Sequence, residues 1–302
     1  MSISVQNITK IYGEQNALDN VSLNIETGEV VGLLGPNGAG KSTMMKIITC
    51  FLPPNQGSVM VDGFDVMQDS IEVRKLVGYL PEHNPLYLDM YVKEYLEFVA
   101  GIYKIDQKWK RVMEMIDITG LALEQNKKIG ALSKGYRQRV GLAQAMIHDP
   151  KILILDEPTS GLDPNQLVDI RNLIKEIGKE KTIMLSTHIM QEVEAMCDRV
   201  VIIDRGRIVA DDTTSNISAK TSGKLIIKVE FDKVVDAKLL AAIPGVTQLD
   251  DMGENIWKLE SNQDQDLRSD VFQFAVDHKI KVLAMAKEEL KLEDIFHALT
   301  KK

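Results

Sequence analysis

Eight residues, Gly35-Pro36-Asn37-Gly38-Ala39-Gly40-Lys41-Ser42, join one apolar run, Val30-Val31-Gly32-Leu33-Leu34, to another, Met44-Met45-Lys46-Ile47-Ile48. The first run reads as a buried strand and the second as a helix. Between them the glycines let consecutive backbone N–H groups turn inward, a conformation that side chains at those positions would obstruct. The helix that follows presents its positive N-terminal end to the same point. Strand, glycine loop and helix in this order make a cradle for phosphate. Lys41 then reaches the β and γ phosphates, and the Ser42 hydroxyl is placed to ligate magnesium. A glycine-rich turn without a ligand is the alternative, and the strand before and helix after it argue against that.

The loop alone indicates a nucleoside triphosphate and no particular chemistry. A further apolar run, Ile152-Leu153-Ile154-Leu155, ends in Asp156-Glu157. So short and apolar a run suits a central parallel strand buried on both faces. Acids at its C-terminal end stand where open α/β sheets place their ligands. Asp156 is therefore assigned to the magnesium ion, and Glu157 to orienting and polarising the attacking water. Two solvated acids in an Asp-Glu-Pro turn would look the same in isolation, and the glycine loop upstream weighs against that reading. Two helix starts are also legible: Ser133 before Lys134-Gly135-Tyr136, and Asp163 before Pro164-Asn165-Gln166, each with a capping side chain.

Together these segments resemble the ATP-binding-cassette (ABC) ATPases. That family's signature is Leu-Ser-Gly-Gly-Gln before Arg-Gln-Arg, and here Leu132-Ser133-Lys134-Gly135-Tyr136 precedes Arg137-Gln138-Arg139. The resemblance implies that Ser133 and Gly135 contact the γ-phosphate held by an opposite subunit. Lys134 and Tyr136 depart from the family pattern: the lysine keeps the site cationic, and the tyrosine cannot make an amide's contacts. Ser160-Gly161-Leu162-Asp163-Pro164 is similar to the family's D-loop. His188, after an apolar strand at 182–186, falls at the place of its switch histidine, which reads the γ-phosphate through a hydrogen bond. By the same resemblance Gly35, Pro36, Asn37, Gly38, Ala39, Gly40, Lys41, Ser42 and Thr43 bind the nucleotide, Lys41, Glu157 and His188 act in catalysis, and Ser42, Asp156 and Glu82 serve the metal. Tyr12 resembles the aromatic residue that stacks on adenine. Glu82, in Gly78-Tyr79-Leu80-Pro81-Glu82, stands where the family's Q-loop usually has glutamine and adds negative charge beside a triphosphate.

The implied fold is α/β: an ABC ATPase cassette with a RecA-like, mostly parallel sheet core, an antiparallel β layer and a helical subdomain. The chain's own rhythm agrees. Residues 3–10, 18–25 and 57–61 read as the antiparallel layer, while 30–34, 77–80, 152–155, 183–186 and 200–204 alternate with helices as parallel strands do. Residues 204–207 read as a tight turn into a closing hairpin at 208–211. Lys41 lies 92 residues before Ser133 and 115 before Asp156. That interval accommodates one helical subdomain, at about 83–150, and excludes the long coiled coil of chromosome-maintenance ATPases. One glycine loop and one signature exclude the two-cassette translation-associated members, and the signature helix excludes P-loop kinases and GTPases.

A polar stretch at 212–216 suits a boundary between a cassette at 1–215 and an accessory domain at 216–302. In the latter, strands at 224–231, 246–249, 255–260 and 280–286 alternate with helices at 235–242, 264–278 and 292–299. This β-α-β-β-α-β order predicts a small α+β ferredoxin-like domain. Its His278 and His297 read as isolated surface residues, and the domain as regulatory or as a dimer brace.

With 36 Lys+Arg against 44 Asp+Glu and a net charge of -8, the chain is not suited to broad nucleic-acid binding. Cys50 and Cys197 lack metal-ligand spacing and read as reduced core thiols of a cytosolic protein. The first residues have neither the charged nor the apolar region of a signal peptide. No apolar stretch approaches the ~20 residues of a membrane span, so a transporter containing this chain takes its pore from another polypeptide. The reading is an ABC-type ATPase that hydrolyses ATP with Mg2+ and pairs head to tail as a homodimer clasping ATP. It sits on the cytoplasmic, inner face of the cell membrane, bound to an integral-membrane permease. As a whole the chain resembles exporter ATPases with separate permeases, and especially the gliding-motility-associated ATP-binding subunits. The alternative is a soluble ABC ATPase acting as a mechanical switch on a cytosolic partner.

Overall fold

Val30–Leu34 (β3), Ile152–Asp156 (β7) and Thr182–Thr187 (β8) are buried at every position, as strands covered on both faces must be. In the computed structural model, which describes residues 1–214, 216, 225–261 and 266–288, they form the middle of a six-stranded sheet. Its order is Arg207–Thr213 (β10), Arg199–Asp204 (β9), β3, β8, β7 and Val77–Leu80 (β6). Pairing is parallel from β9 through to β6, and β10 turns back antiparallel on β9. A second, antiparallel sheet has the order Gln15–Ile25 (β2), Ile3–Tyr12 (β1), Gln56–Val61 (β4) and Phe64–Asp65 (β5).

Helix Lys41–Ile48 (α1) lies in the core that the two sheets share. Its Met44, Met45, Ile47 and Ile48 cluster with Ile3, Val5, Val59 and Val61 of the antiparallel layer and with Val31, Leu33, Ile154 and Met184 of the parallel sheet. A helix apolar on nearly every side belongs in an interior. Burying such side chains contributes roughly 1.5–3 kcal/mol each. The helix that begins at Lys41 is therefore clamped from both sides, and its N-terminus has little freedom to wander.

Helix Ser70–Leu76 (α2) precedes β6. Helices Val92–Ile102 (α3), Lys108–Ile118 (α4) and Lys134–Met146 (α5), with a 3-10 turn at Ile129–Ala131, occupy the interval expected to be helical. Pro164–Gly178 (α6) and Met190–Met196 (α7) follow β7 and β8. Cys50 and Cys197 are free thiols, and burial raises both above the ordinary cysteine value. No helix among the described residues is long and apolar enough to cross a membrane.

The chain divides into two compact units, Met1–Thr214 and Ser215–Lys302. In the second, Leu225–Phe231 (β11), Val246–Asp251 (β12), Ile256–Ser261 (β13) and Val282–Glu288 (β14) form an antiparallel sheet of order β12-β13-β11-β14. With helices Ala237–Ala241 and Arg268–Asp277 this is the ferredoxin-like arrangement. Several boundaries differ from the sequence pattern, among them the helix expected at 264–278, which is Arg268–Asp277, and the strand expected at 246–249, which is Val246–Asp251; two further differences have a local cause. Asp236 accepts a hydrogen bond from the Lys238 N–H, so that helix starts two residues later than 235. Ile280 donates its N–H to the Ala275 carbonyl at 2.8 Å, closing the preceding helix, and the last strand starts only at Val282. The helix expected at 292–299, with His297, lies outside the described residues.

Candidate functional site

The cradle is set by backbone that only glycine adopts readily. Gly38 has φ 81° and Gly40 φ 111°, and a Cβ on Gly40 would come within 2.5 Å of the Ala17 carbonyl oxygen. Immediately after it, Lys41 is 6% exposed. Its Nζ donates to the Gly35 carbonyl at 2.6 Å and the Pro36 carbonyl at 3.3 Å, and stands 3.6 Å from Glu157 Oε1. A buried ammonium needs such partners, because losing one leaves an uncompensated charge at a cost of about 3–5 kcal/mol.

The acids come from the end of β7, which β8 separates from β3. The β7–β8 register pairs Asp156 with Ser186. Ser186 Oγ donates to Asp156 Oδ1 at 2.6 Å and accepts the Glu157 N–H at 2.9 Å. Ser42 Oγ donates to the same Asp156 Oδ1 at 3.1 Å. One residue on, Glu157 takes a left-handed φ of 48°. That conformation costs a non-glycine residue about 1–3 kcal/mol and tends to occur at functional sites. Both carboxylate oxygens are engaged: Oε1 faces Lys41, and Oε2 lies 3.0 Å from His188 Nδ1.

These groups border a cleft of about 440 Å³ lined by Ala17, Asn37, Gly38, Ala39, Gly40, Lys41, Ser42, Thr43, Glu82, Glu157, Ser160 and His188. Gly35 and Pro36 contribute their carbonyls to Lys41, and Asp156 reaches the cleft through Ser42. Ser42 and Asp156 supply two hard oxygen donors, the set that magnesium uses when phosphates complete its coordination. Among the described residues no group of three or more His, Cys, Asp and Glu forms a cage for a metal. Tyr12 does not line the cleft; it is half exposed, with Lys10 Nζ 5.4 Å from its ring centroid.

Ser133 and Gly135 do not line it either. Ser133 caps α5, accepting the Tyr136 N–H at 3.4 Å, and also receives Gln166 Nε2 at 3.5 Å. The Gln166 side chain fills the space a Cβ on Gly135 would need, and Lys134 Nζ does the same at Gly161. Asp163 caps α6 as the sequence indicates, accepting from Asn165 N and Gln166 N at 3.1 and 2.9 Å. The 132–136 and 160–166 segments are thus packed on each other.

Two cleft or supporting residues escaped the sequence reading, Ala17 and Ser186, whereas Ser160 falls in the segment that resembles the D-loop. Ser186 had a usable signal, a hydroxyl near the end of an apolar strand that must run beside the strand carrying the acids.

A second groove, of about 270 Å³, is bordered by Arg74 of α2, Tyr79 of β6, Asn84 in the segment after it, and Tyr103 and His148 just beyond the ends of α3 and α5. Tyr79 Oη, both amide atoms of Asn84 and His148 Nδ1 are buried there without a hydrogen-bond partner. His148 stacks on Tyr103 with ring centroids 4.0 Å apart, and burial pushes its pKa down to about 4.

Known proteins resemble this chain in sequence and fold. A family model described as "ABC transporter" matches residues 18–160. The linearmycin-resistance ATP-binding protein LnrL of Bacillus subtilis is 30% identical over 99% of this chain and 98% of its own length. The Nod factor export ATP-binding protein I of Neorhizobium galegae is 31% identical over 99% of this chain and 85% of its own. Among solved structures, an ATP-binding subunit of an ABC transporter superposes with a TM-score of 0.67 at 30% identity, covering 74% of this chain and 94% of that one. A dimeric post-hydrolysis ATP-binding cassette bound to ADP and Pi superposes with a TM-score of 0.64 at 29% identity, covering 70% and 98%.

Proposed function

The chain belongs to the ABC transporter ATP-binding family and is an ABC-type ATPase; from that premise we propose that it powers a separately encoded membrane permease, as the energy-coupling subunit of an exporter. The observation that carries the reading is the division of the γ-phosphate machinery. Lys41, Ser42, Glu157 and His188 meet at one cleft, whereas Ser133 and Gly135 are not among its lining residues. A second copy, placed head to tail, supplies them, and ATP held between the two copies closes the pair.

Within each copy, the N–H groups from Gly38 to Thr43 and the Lys41 ammonium hold the phosphates. Ser42 and Asp156 would hold magnesium, which when bound neutralises phosphate charge. Glu157 accepts a proton from the attacking water while its contacts with Lys41 and His188 keep the carboxylate oriented. Glu82 faces the same cleft and is proposed to act beside the metal. Tyr12, which does not line the cleft, is proposed for adenine from the resemblance alone.

Export is the direction named for the Nod factor relative and suits the resistance relative. None of the relatives named above is a gliding-motility protein, so that narrower resemblance is not carried forward. The groove at Tyr79, Asn84 and His148 is the proposed seat of the permease, since its four unpartnered buried polar atoms need groups from outside the chain. The chain would then lie on the cytoplasmic face of the membrane.

The test has two parts. Glu157→Gln with MgATP is expected to elute as a dimer on gel filtration, and monomers would count against the shared site. Gentle detergent extraction of the tagged chain is expected to recover a stoichiometric polytopic protein. Recovery without one would favour a soluble ATPase acting as a switch on a cytosolic partner.

A further inference from the structure

Behind His188 lies a polar group that the mechanism above does not use. Glu192, on α7, has 0% of its surface exposed. The other buried residues of that short helix are Met190, Val193 and Met196. A carboxylate in such surroundings carries a desolvation penalty of several kcal/mol. An apolar side chain would fill the space more cheaply if filling were all that was needed.

Its two oxygens point along one line of contacts. Oε2 accepts a hydrogen bond from Thr187 Oγ1 at 2.5 Å. That hydroxyl in turn accepts the Ile189 N–H at 3.1 Å, so it clasps the backbone on both sides of His188. On the other side, Oε1 lies 3.9 Å from Arg171 Nη2. Arg171 sits on α6, whose first turn carries Asp163 and the Gln166 side chain packed against Ser133 and Gly135. A continuous path therefore runs from the segment that the dimer reading places at the partner's nucleotide, along α6, through Arg171, Glu192 and Thr187, to the histidine on Glu157.

The path also has slack at one point. Glu192 Oε1 and Arg171 Nε are both buried without a hydrogen-bond partner. The 3.9 Å separation is roughly 1 Å longer than a charge-assisted hydrogen bond. A small displacement of α6 toward α7 would close it and give Glu192 Oε1 the partner it lacks.

We propose that Arg171, Glu192 and Thr187 form a positioning relay that couples α6 to His188, setting the histidine against Glu157 when the 160–166 segment is engaged. None of the three touches the nucleotide; they act through His188. The inference rests on the reading of His188 as a catalytic residue, and the experiment separates the two.

Steady-state ATPase of the full chain is measured for Thr187→Val, Thr187→Ser, Glu192→Gln and Arg171→Met, each also in a His188→Ala background. Thr187→Val keeps the bulk of the side chain and removes the clasp. It is expected to lower kcat about tenfold with KM for MgATP within about twofold, as a misplaced catalytic group does. Thr187→Ser restores the hydroxyl and is expected to restore kcat. Glu192→Gln keeps an acceptor for Thr187 but drops the charge facing Arg171, so it and Arg171→Met should lower kcat alike, by about threefold. In the His188→Ala background none of these variants should lower the residual rate further.

Unchanged kcat in Thr187→Val, failure of Thr187→Ser to rescue, or losses that simply add to that of His188→Ala would overturn the relay. A variant too unstable to assay leaves the Ser rescue and Arg171→Met to decide. Wild-type kcat in His188→Ala would instead remove the reading on which the relay rests.

Discussion

The phosphate end of the first unit and the interior of the second solve opposite problems. Around the cleft the buried side chains include Lys41, Asp156, Glu157, Ser186, Thr187 and Glu192. In the Ser215–Lys302 unit the described core includes Val229, Phe231, Val235, Leu240, Trp257 and Phe274. Charge in an interior is expensive unless it is paired. The first unit bears that expense at the cleft proposed to hold phosphate and activate water; the described interior of the second is mainly apolar, with Glu260 and Ser261 its buried polar residues. The difference teaches where to look for chemistry: at the interior that could have been apolar and is not. The match to LnrL spans 99% of this chain, so the likeness to that protein extends over the second unit. We propose a regulatory or dimer-bracing role for it.

Breaking this contrast at its polar end should give the largest effect. Lys41→Ala removes the ammonium proposed to serve two phosphates and leaves Glu157 Oε1 without its cationic neighbour. MgATP affinity is expected to fall about a hundredfold or more, measured by equilibrium binding. Breaking it at the apolar end should spare chemistry. Phe231→Ala is expected to destabilise the chain by about 3–5 kcal/mol in denaturant unfolding, with ATPase per folded molecule unchanged. A drop in kcat that tracked the loss of stability would show that the two units are not as separate in purpose as their interiors suggest.

A finer cut is Ser186→Ala, which leaves the strand intact but strips Asp156 and Glu157 of their shared hydroxyl. About a tenfold fall in kcat is expected, corresponding to roughly one buried hydrogen bond to a charged group. The smallest effect concerns His148. Its folded-state pKa of about 4 lies below the ordinary 6.5. Between those values the unfolded chain binds more protons, so stability should rise with pH across that window and level off above it. Thermal melting from pH 4 to 7 should therefore show a shallower slope in His148→Gln than in the wild type. Equal slopes would assign the acid sensitivity elsewhere.

Much of the cleft was legible in the chain because its parts are contiguous. Gly38 and Gly40 take positive φ for reasons local to the loop, Lys41 and Ser42 follow directly, and Asp156-Glu157 ends a run whose apolarity marks it as central. Caps at Ser133 and Asp163 were legible for the same reason, each being a contact over two or three residues. The closing strand of the second unit was misplaced by two residues, because the Ile280 N–H that returns to Ala275 is spent on the helix before it.

Composition, spacing and these local motifs determined the fold class, the phosphate cradle and the acids beside it, since each depends on neighbours in the chain. Only the tertiary structure decided that Ser186 ties Asp156 to Glu157, that Gln166 seats against Ser133 and Gly135, and that Glu192 stands behind His188 facing Arg171. Strand register and helix packing bring together residues tens of positions apart, and periodicity records which face a residue takes but not which partner it meets there.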